Sequence, residues 1–153
     1  MIAEKVITAQ DIEACVRLYA AQADNNFLVV ESHHCIAAMY AHIQAGALVR
    51  CIRVDGRIRA WILGRITKSE FTGRNQIIQL YYGSDLTGIL AGKAVQCIHQ
   101  YLMDSAERLR IFQVISQGSF EDTQHVFTRI LGKMGWRVKT FCAIWYSSHS
   151  PYK

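Results

Sequence analysis

The chain predicts an α/β (α+β) fold, a mixed central sheet with helices on both faces in the order β-α-α-β-β-β-α-β-α-β. Two observations carry this. Runs that alternate between apolar and polar residues flank Asp55-Gly56, the signature of an antiparallel hairpin. Further along, a strand pattern, a glycine-bearing loop, an amphipathic helix and a second strand follow one another. That is a βαβ crossover, and it makes at least two strands parallel.

Each element has its own signal. "EKVITAQD" reads as a first strand followed by a helix cap at Thr8 or Asp11, and Ile12, Cys15, Val16, Leu18 and Tyr19 then recur at roughly helical spacing. "NNFLVVES" is a loop or a short extended piece. Ser32 is placed to cap the next helix, "HHCIAAMYAHIQAG", whose apolar face is Ile36, Met39, Tyr40 and Ile43 and whose end is Gly46. The period then changes to two through "ALVRCIRV", "RIRAWILGRITKSEF" and "RNQIIQLYY", three strands of a meander, the last stopping at Tyr82. A loop carrying Gly83, Gly88 and Gly92 leads into a helix that starts near Leu86 or Thr87 and ends near Leu102, with Ala94, Val95, Ile98, Tyr101 and Leu102 on one face. "RLRIFQVISQ" is a strand, and "SFEDTQHVFTRILGKMGW" is a helix capped by Ser119, with Asp122 in its first turn and Gly135 at its end. "RVKTFCAIWYSS" is a final strand.

Composition narrows the class. The 153 residues are 51% hydrophobic and 19% charged, enough apolar material for a core and too little charge for a disordered chain. The one proline is Pro151, and with no Pro/Gly/Ser-rich linker and no repeat, residues 1–153 read as one domain. The apolar runs are short and broken by charge, so no membrane span is expected, and "MIAEKVITAQD" does not have the pattern of a signal peptide; the expected location is cytoplasmic. Cys15, Cys35, Cys51, Cys97 and Cys142 lie inside apolar patterns without a CxxC pair, which favours reduced, packed thiols.

The chain is basic. Between Arg50 and Arg74 seven cationic residues face only Asp55 and Glu70, and from Thr123 onward there is no acidic residue. Arg50, Arg53, Arg57 and Arg59 are therefore candidate contacts for an anionic ligand or nucleic acid, set against the simpler reading of a solvated strand face. No metal site is expected. His125 and His149 have no partners at ligand spacing, and the His33-His34 pair has only Glu31 near it. Neither a P-loop lysine motif nor a GxSxG elbow occurs.

Three stretches carry a resemblance: "QIIQLYYGSDLTGILAGKAVQCIHQYL", "RIFQVIS" and "FTRILGKMGW" with its Lys133-Met134-Gly135-Trp136 tail. In order and hydrophobic pattern they resemble the GNAT superfamily, the acyl-CoA-dependent N-acyltransferases related to Gcn5, over nearly the whole chain. The resemblance implies a GNAT-like fold and an acyltransferase that moves an acetyl group from acetyl-CoA, its co-substrate, to a small-molecule or protein amine, without a metal. It also implies site residues. The backbone of Leu80, Tyr81 and Tyr82 would pair with the pantetheine arm. Thr87, Gly88, Ile89, Leu90, Ala91, Gly92 and Lys93 would hold the pyrophosphate at a helix N-terminus. Glu70 and Glu31, with His33 and His34, are the candidates for deprotonating the amine, and Tyr81 is a further catalytic candidate.

The loop departs from the family pattern. Thr87 stands at the Arg/Gln position, Leu90 at the first glycine and Gly92 at the last position, while Leu131 stands where many members have a tyrosine that protonates the thiolate. Lys93 is placed to replace the missing arginine. These departures support an alternative: a catalytically degenerate GNAT-fold binding or structural protein of the phage-encoded kind, contacting nucleic acid or a protein partner. The exposed edge of the last strand would suit a homo-oligomer.

Overall fold

The structure, a computed structural model, describes residues 1–25, 29–116, 126–138 and 148–149. Among them the order is α1 (Ala9–Asn25), α2 (Ser32–Gln44), β1 (Leu48–Val54), β2 (Arg57–Lys68), β3 (Asn75–Ser84), α3 (Gly88–Arg108), β4 (Gln113–Ser116) and α4 (Val126–Lys133).

The expected first strand is reduced to one bridge. Glu4 exchanges both backbone hydrogen bonds with Cys51 at 2.8 Å, and no further rung forms. The chain has to turn at once into α1, and the turn is fixed by a reciprocal cap. Asp11 N–H donates to Thr8 Oγ1 (3.1 Å), while Thr8 and Ile7 N–H donate to Asp11 Oδ2 (3.2 and 3.0 Å). Thr8 and Asp11 thus form one capping box, with Asp in the position usually held by Glu.

At α2 the cap moves by one residue. Ser32 is already helical, and Glu31 is the N-cap, extended and without a side-chain cap bond. Of the expected apolar face only Met39 is fully buried; Tyr40 is 41% exposed, because α2 packs at the flank of α1 rather than across the sheet. Gly46, at φ +87°, ends the helix as expected.

Asp55 and Gly56 both have positive φ (52° and 76°), the backbone of a type I′ turn between β1 and β2. The sheet order is β1-β2-β3-β4, antiparallel except for the β3–β4 pair, which is parallel and joined through α3. Two bulges interrupt the ladders. Arg59 is the extra residue between Ile58 and Ala60, and Leu80 the extra residue between Gln79 and Tyr81.

The sheet buries both faces. Ile12, Cys15 and Val16 of α1 and Met39 of α2 pack on Cys51, Trp61 and Leu63. On the other side Ile98 and Leu102 of α3 and Leu131 of α4 pack on Ile52, Ile62 and Ile77. Helices therefore lie on both faces, as the sequence predicts. Burial pushes the Cys15 thiol up, and the Cys51 thiol up to about 11, so both are protonated packing groups.

Several boundaries move. β3 continues past Tyr82 to Ser84, because Gly83 and Ser84 still pair with Trp61 and Ala60. Only glycine fits at residue 83, where a Cβ would lie 2.5 Å from Trp61 Nε1. α3 runs six residues beyond Leu102 because Ser105 and Ala106 continue its buried face. β4 is shorter than its apolar run; Ile111 N–H is taken by Ala106 O (2.8 Å), which holds the approach as a turn. α4 ends before Gly135 at φ +93°. The expected cap at Ser119 and Asp122 and the expected last strand from 139 to 147 lie outside the described residues. No described helix is long and apolar enough to cross a membrane.

Candidate active site

The site is built where the described pairing of β3 with β4 ends. Their parallel pairing runs from Gln76–Gln113 to Gln79–Ser116. Side chains fasten the same rungs: Gln113 Nε2 donates to Gln76 Oε1 (2.7 Å), and Ser116 Oγ donates to the buried Gln79 Oε1. Beyond the bulged Leu80, residues 81–84 pair with β2 alone among the described residues. Their other edge has no strand partner among the described residues. The bulge at Leu80 sits at this vertex, and beyond it Tyr81 and Tyr82 face opposite sides of the sheet, as alternation requires.

β3 leads through Asp85, Leu86 and Thr87 to α3. Leu86 is buried and its N–H donates to Ser84 Oγ (3.1 Å), while Asp85 N–H donates to Arg59 O (3.1 Å). Gly88 opens the helix at φ +60°, a conformation that costs glycine little. Thr87 is the N-cap but makes no side-chain cap bond, and the first helical bond is Ala91 N–H to Thr87 O (3.4 Å). The N–H groups of Gly88, Ile89 and Leu90 therefore have no acceptor among the described residues. They sit at the positive end of a 21-residue helix, which is the physical requirement for holding a phosphate.

The Leu90 side chain is 44% exposed, so it lies out of the core. Gly92 also sets a helix contact. A Cβ there would stand 3.2 Å from Ile130 Cδ1, so Gly92 lets α4 approach α3. Lys93 is exposed, one turn into the helix.

On the α1/α2 face Tyr81 is half-buried, stacked on Trp61 (6.0 Å, 27°) and met edge-on by Tyr19 (5.1 Å) and by His42 of α2 (6.1 Å). Burial raises the Tyr81 hydroxyl, with the Cys35 thiol adding to it. His42 is lowered, first by burial and then by Arg65. A neutral imidazole beside a protonated phenol can accept one proton and receive one hydrogen bond. The sequence pattern missed His42, which sits among apolar helix residues and is singled out only by its contact across to Tyr81.

The other candidates are placed differently. Glu31 is exposed, one turn ahead of Cys35, and its carboxylate is 3.5 Å from His34 Nε2. Ligand atoms of Glu31, His33 and His34 come within 4.8 Å of one another, all on exposed residues, and Glu31 is the one carboxylate that the sequence places near the histidine pair. Glu70 lies in the turn closed by Gly73 N–H to Ser69 O (2.9 Å), ahead of β3. Six residue steps along β3 lead from Asn75 to Tyr81, roughly 20 Å at about 3.3 Å per step, so Glu70 and Tyr81 do not meet.

On the α3/α4 face Tyr82 is buried, and burial pushes its hydroxyl up to about 12. His99 is fully buried, with Nδ1 2.8 Å from Val95 O and Nε2 without a partner among the described residues. Burial holds its pKa down to about 4, and the rings of Tyr82, Phe127 and Trp136 surround it, so it packs as a neutral group. Leu131 is buried and has no proton to give. Of the four candidate arginines, Arg50 stands over the Tyr101 ring (4.4 Å) on the α3 face, whereas Arg53 bonds Asp11 on the α1 face.

The architecture has known counterparts. A probable acetyltransferase superposes with a TM-score of 0.70 at 8% identity over 94% of this chain and 95% of its own. A Trypanosoma brucei acetyltransferase gives 0.65 at 15% over 94% and 97%. A ribosomal-protein-alanine N-acetyltransferase from Brucella melitensis biovar Abortus 2308 gives 0.64 at 12% over 92% and 96%. No family model matches the chain, and no curated protein matches it. At these identities the likeness is one of fold: the chain has the GNAT-like mixed α/β architecture of these acetyltransferases.

Proposed function

We propose that the chain is an acyl-CoA-dependent N-acyltransferase, with acetyl-CoA as co-substrate and a small-molecule or protein amine as acceptor. One observation carries the reading. The end of β3, which among the described residues pairs with β2 alone from Tyr81 to Ser84, leads through Asp85, Leu86 and Thr87 into the N-terminus of α3, where Thr87 makes no side-chain cap bond. An open strand edge offers backbone N–H and C=O groups to the amides of a pantetheine arm, and the helix end offers N–H groups to a pyrophosphate. These backbone donors fit the cofactor without the arginine that Thr87 replaces, since the helix end supplies the positive potential.

When bound, the thioester supplies an activated acyl carbonyl. The chain's own residues then have three tasks. The N–H groups of Gly88, Ile89 and Leu90 hold the anionic end. His42, kept neutral by burial, takes the proton of the attacking amine at a ring nitrogen. Tyr81, kept protonated, orients the acceptor through its hydroxyl. Glu31, exposed near the start of α2, draws in a cationic amine.

Isothermal titration with acetyl-CoA tests this. Saturable binding is expected, and Leu90→Glu should weaken it at least tenfold, about 1.4 kcal/mol. That substitution sits at a half-exposed position where an acidic side chain favours the helix yet repels pyrophosphate. No binding at millimolar acetyl-CoA overturns the reading. Saturable binding with no transfer to any amine would favour a catalytically silent carrier of the fold, the reading that Leu131 supports.

A further inference from the structure

We propose that the groove between α1 and the β1–β2 hairpin is a binding site for a small phosphate monoester, separate from the acyl-CoA site. The groove is a cavity of about 520 Å³, within the range of small-ligand sites. The bulge at Arg59 shapes one wall. The extra residue shifts the alternation of β2, so that Ile58 joins Arg53, which the ordinary alternation of β1 places on the face of Cys51, on the α1 side. Arg17 of α1 and Arg53, Arg57 and Arg59 of the hairpin line the cavity together with two carboxylates, Asp11 and Asp85.

The four guanidinium groups are of two kinds. Arg53 is clamped, with Nη2 on Asp11 Oδ1 (2.8 Å) and Nε on Glu4 Oε2 (3.0 Å), and Arg59 Nε is held by Asp85 Oδ1 (2.5 Å). Arg17 and Arg57 are exposed and make no ion pair among the described residues. With the Glu4 that pairs with Arg53 from beside the lining, four cations meet three carboxylates, and the net positive charge, concentrated on Arg17 and Arg57, favours a phosphate. The two unpaired forks are suited to its oxygens, while the clamped pair keeps the walls in place at no cost on binding. Ala14, Leu18 and Ile58 add an apolar wall, which a bare ion would leave unused and the organic part of a monoester would cover.

Sequence reasoning grouped Arg50 with the hairpin arginines as one anion surface. The fold sends Arg50 to the opposite face and brings in Arg17 from forty residues upstream of the hairpin tip, so a linear patch becomes a concave site.

The probes are phenyl phosphate and inorganic phosphate, titrated calorimetrically into the full chain, into Arg17→Ser/Arg57→Ser and into Leu90→Glu. Phenyl phosphate should bind the parent chain and Leu90→Glu alike, should bind inorganic phosphate's site more tightly than phosphate itself, and should lose at least tenfold in the double variant. Four results would each overturn the proposal: no saturable binding of phenyl phosphate in the millimolar range; loss on Leu90→Glu with retention in the double variant, which moves the anion to the end of α3; equal affinity for the two probes, which removes the monoester; or displacement of phenyl phosphate by a duplex oligonucleotide with a steep salt dependence, which makes the arginines a nucleic-acid surface.

Discussion

Asp11 joins the entry of α1 to the middle of the sheet, and its charge can be removed almost without changing its shape. Its Oδ2 takes the N–H groups of Ile7 and Thr8, and its Oδ1 takes Arg53 Nη2 at 2.8 Å, with a side chain only 12% exposed. The Arg53 hydrogen bond, helped by the two backbone donors and opposed by burial, holds the carboxyl at about 2 instead of its ordinary 3.8. That difference is worth about 2.4 kcal/mol of folding free energy at neutral pH. Because the pKa is depressed, the stabilisation is fully present above 3.8 and is lost as pH falls from there toward about 2. Asp11→Asn should therefore lower stability at about pH 7 by roughly 2 kcal/mol, read from urea midpoints at unchanged slope. The difference from the parent chain should close as both are taken toward about pH 2.5, and moderate salt should change it little because the pair is mostly shielded. A difference that stays constant through that acid window would refute the reasoning, since the cost would then belong to cap geometry and not to the charge.

Two further expectations follow from neighbouring contacts. Gly64→Ala would place a Cβ 3.0 Å from Ile77 Cγ2 and 3.1 Å from Leu102 Cδ2, both fully buried, so it should cost about 1–3 kcal/mol and lower the thermal midpoint by a few degrees per kcal/mol; an unchanged Tm would show that α3 can slide. His42→Gln should lower kcat/KM by about 10²–10⁴ with acetyl-CoA affinity retained, and the acid limb of the parent pH–rate profile should lie below the ordinary histidine value of 6.5 and vanish in the variant; an acid limb that persists would assign the proton to another group.

The parts of this fold that could be read from sequence are those set by local chemistry. Asp55-Gly56 had to be a tight hairpin turn because two successive positive φ angles are cheap for that pair. The β3–α3–β4 crossover followed from period and length alone. What resisted reading was settled at a distance. "EKVIT" has the composition of a strand, but one bridge to Cys51 is all it can form before the Thr8–Asp11 cap turns the chain. The approach of Ile130 of α4 to Gly92 joins residues far apart in sequence, and no local pattern reveals it. Glu70 and Tyr81 belong to one sequence neighbourhood but are separated along an extended strand, whereas His42 and Tyr81, far apart in sequence, meet. The cationic character of the hairpin was visible in its arginines, but the cavity it forms with α1, and the one-residue bulge in its wall, are not revealed by any periodicity.

The two-residue turn of the β1–β2 hairpin has a kinetic meaning. Closing so short a loop costs little chain entropy, and hairpins form in about 1–10 μs. This hairpin presents Ile52 and Ile62 to one core and Cys51 and Trp61 to the other, so both layers of helices have a platform to condense on as soon as it exists. The β3–β4 rungs, by contrast, join residues 37 apart and must wait until α3 has crossed the sheet. The region of the proposed acyl-CoA site is therefore expected to form late. Substitutions there act mainly on how fast the protein unfolds, while those at the hairpin turn act on how fast it folds.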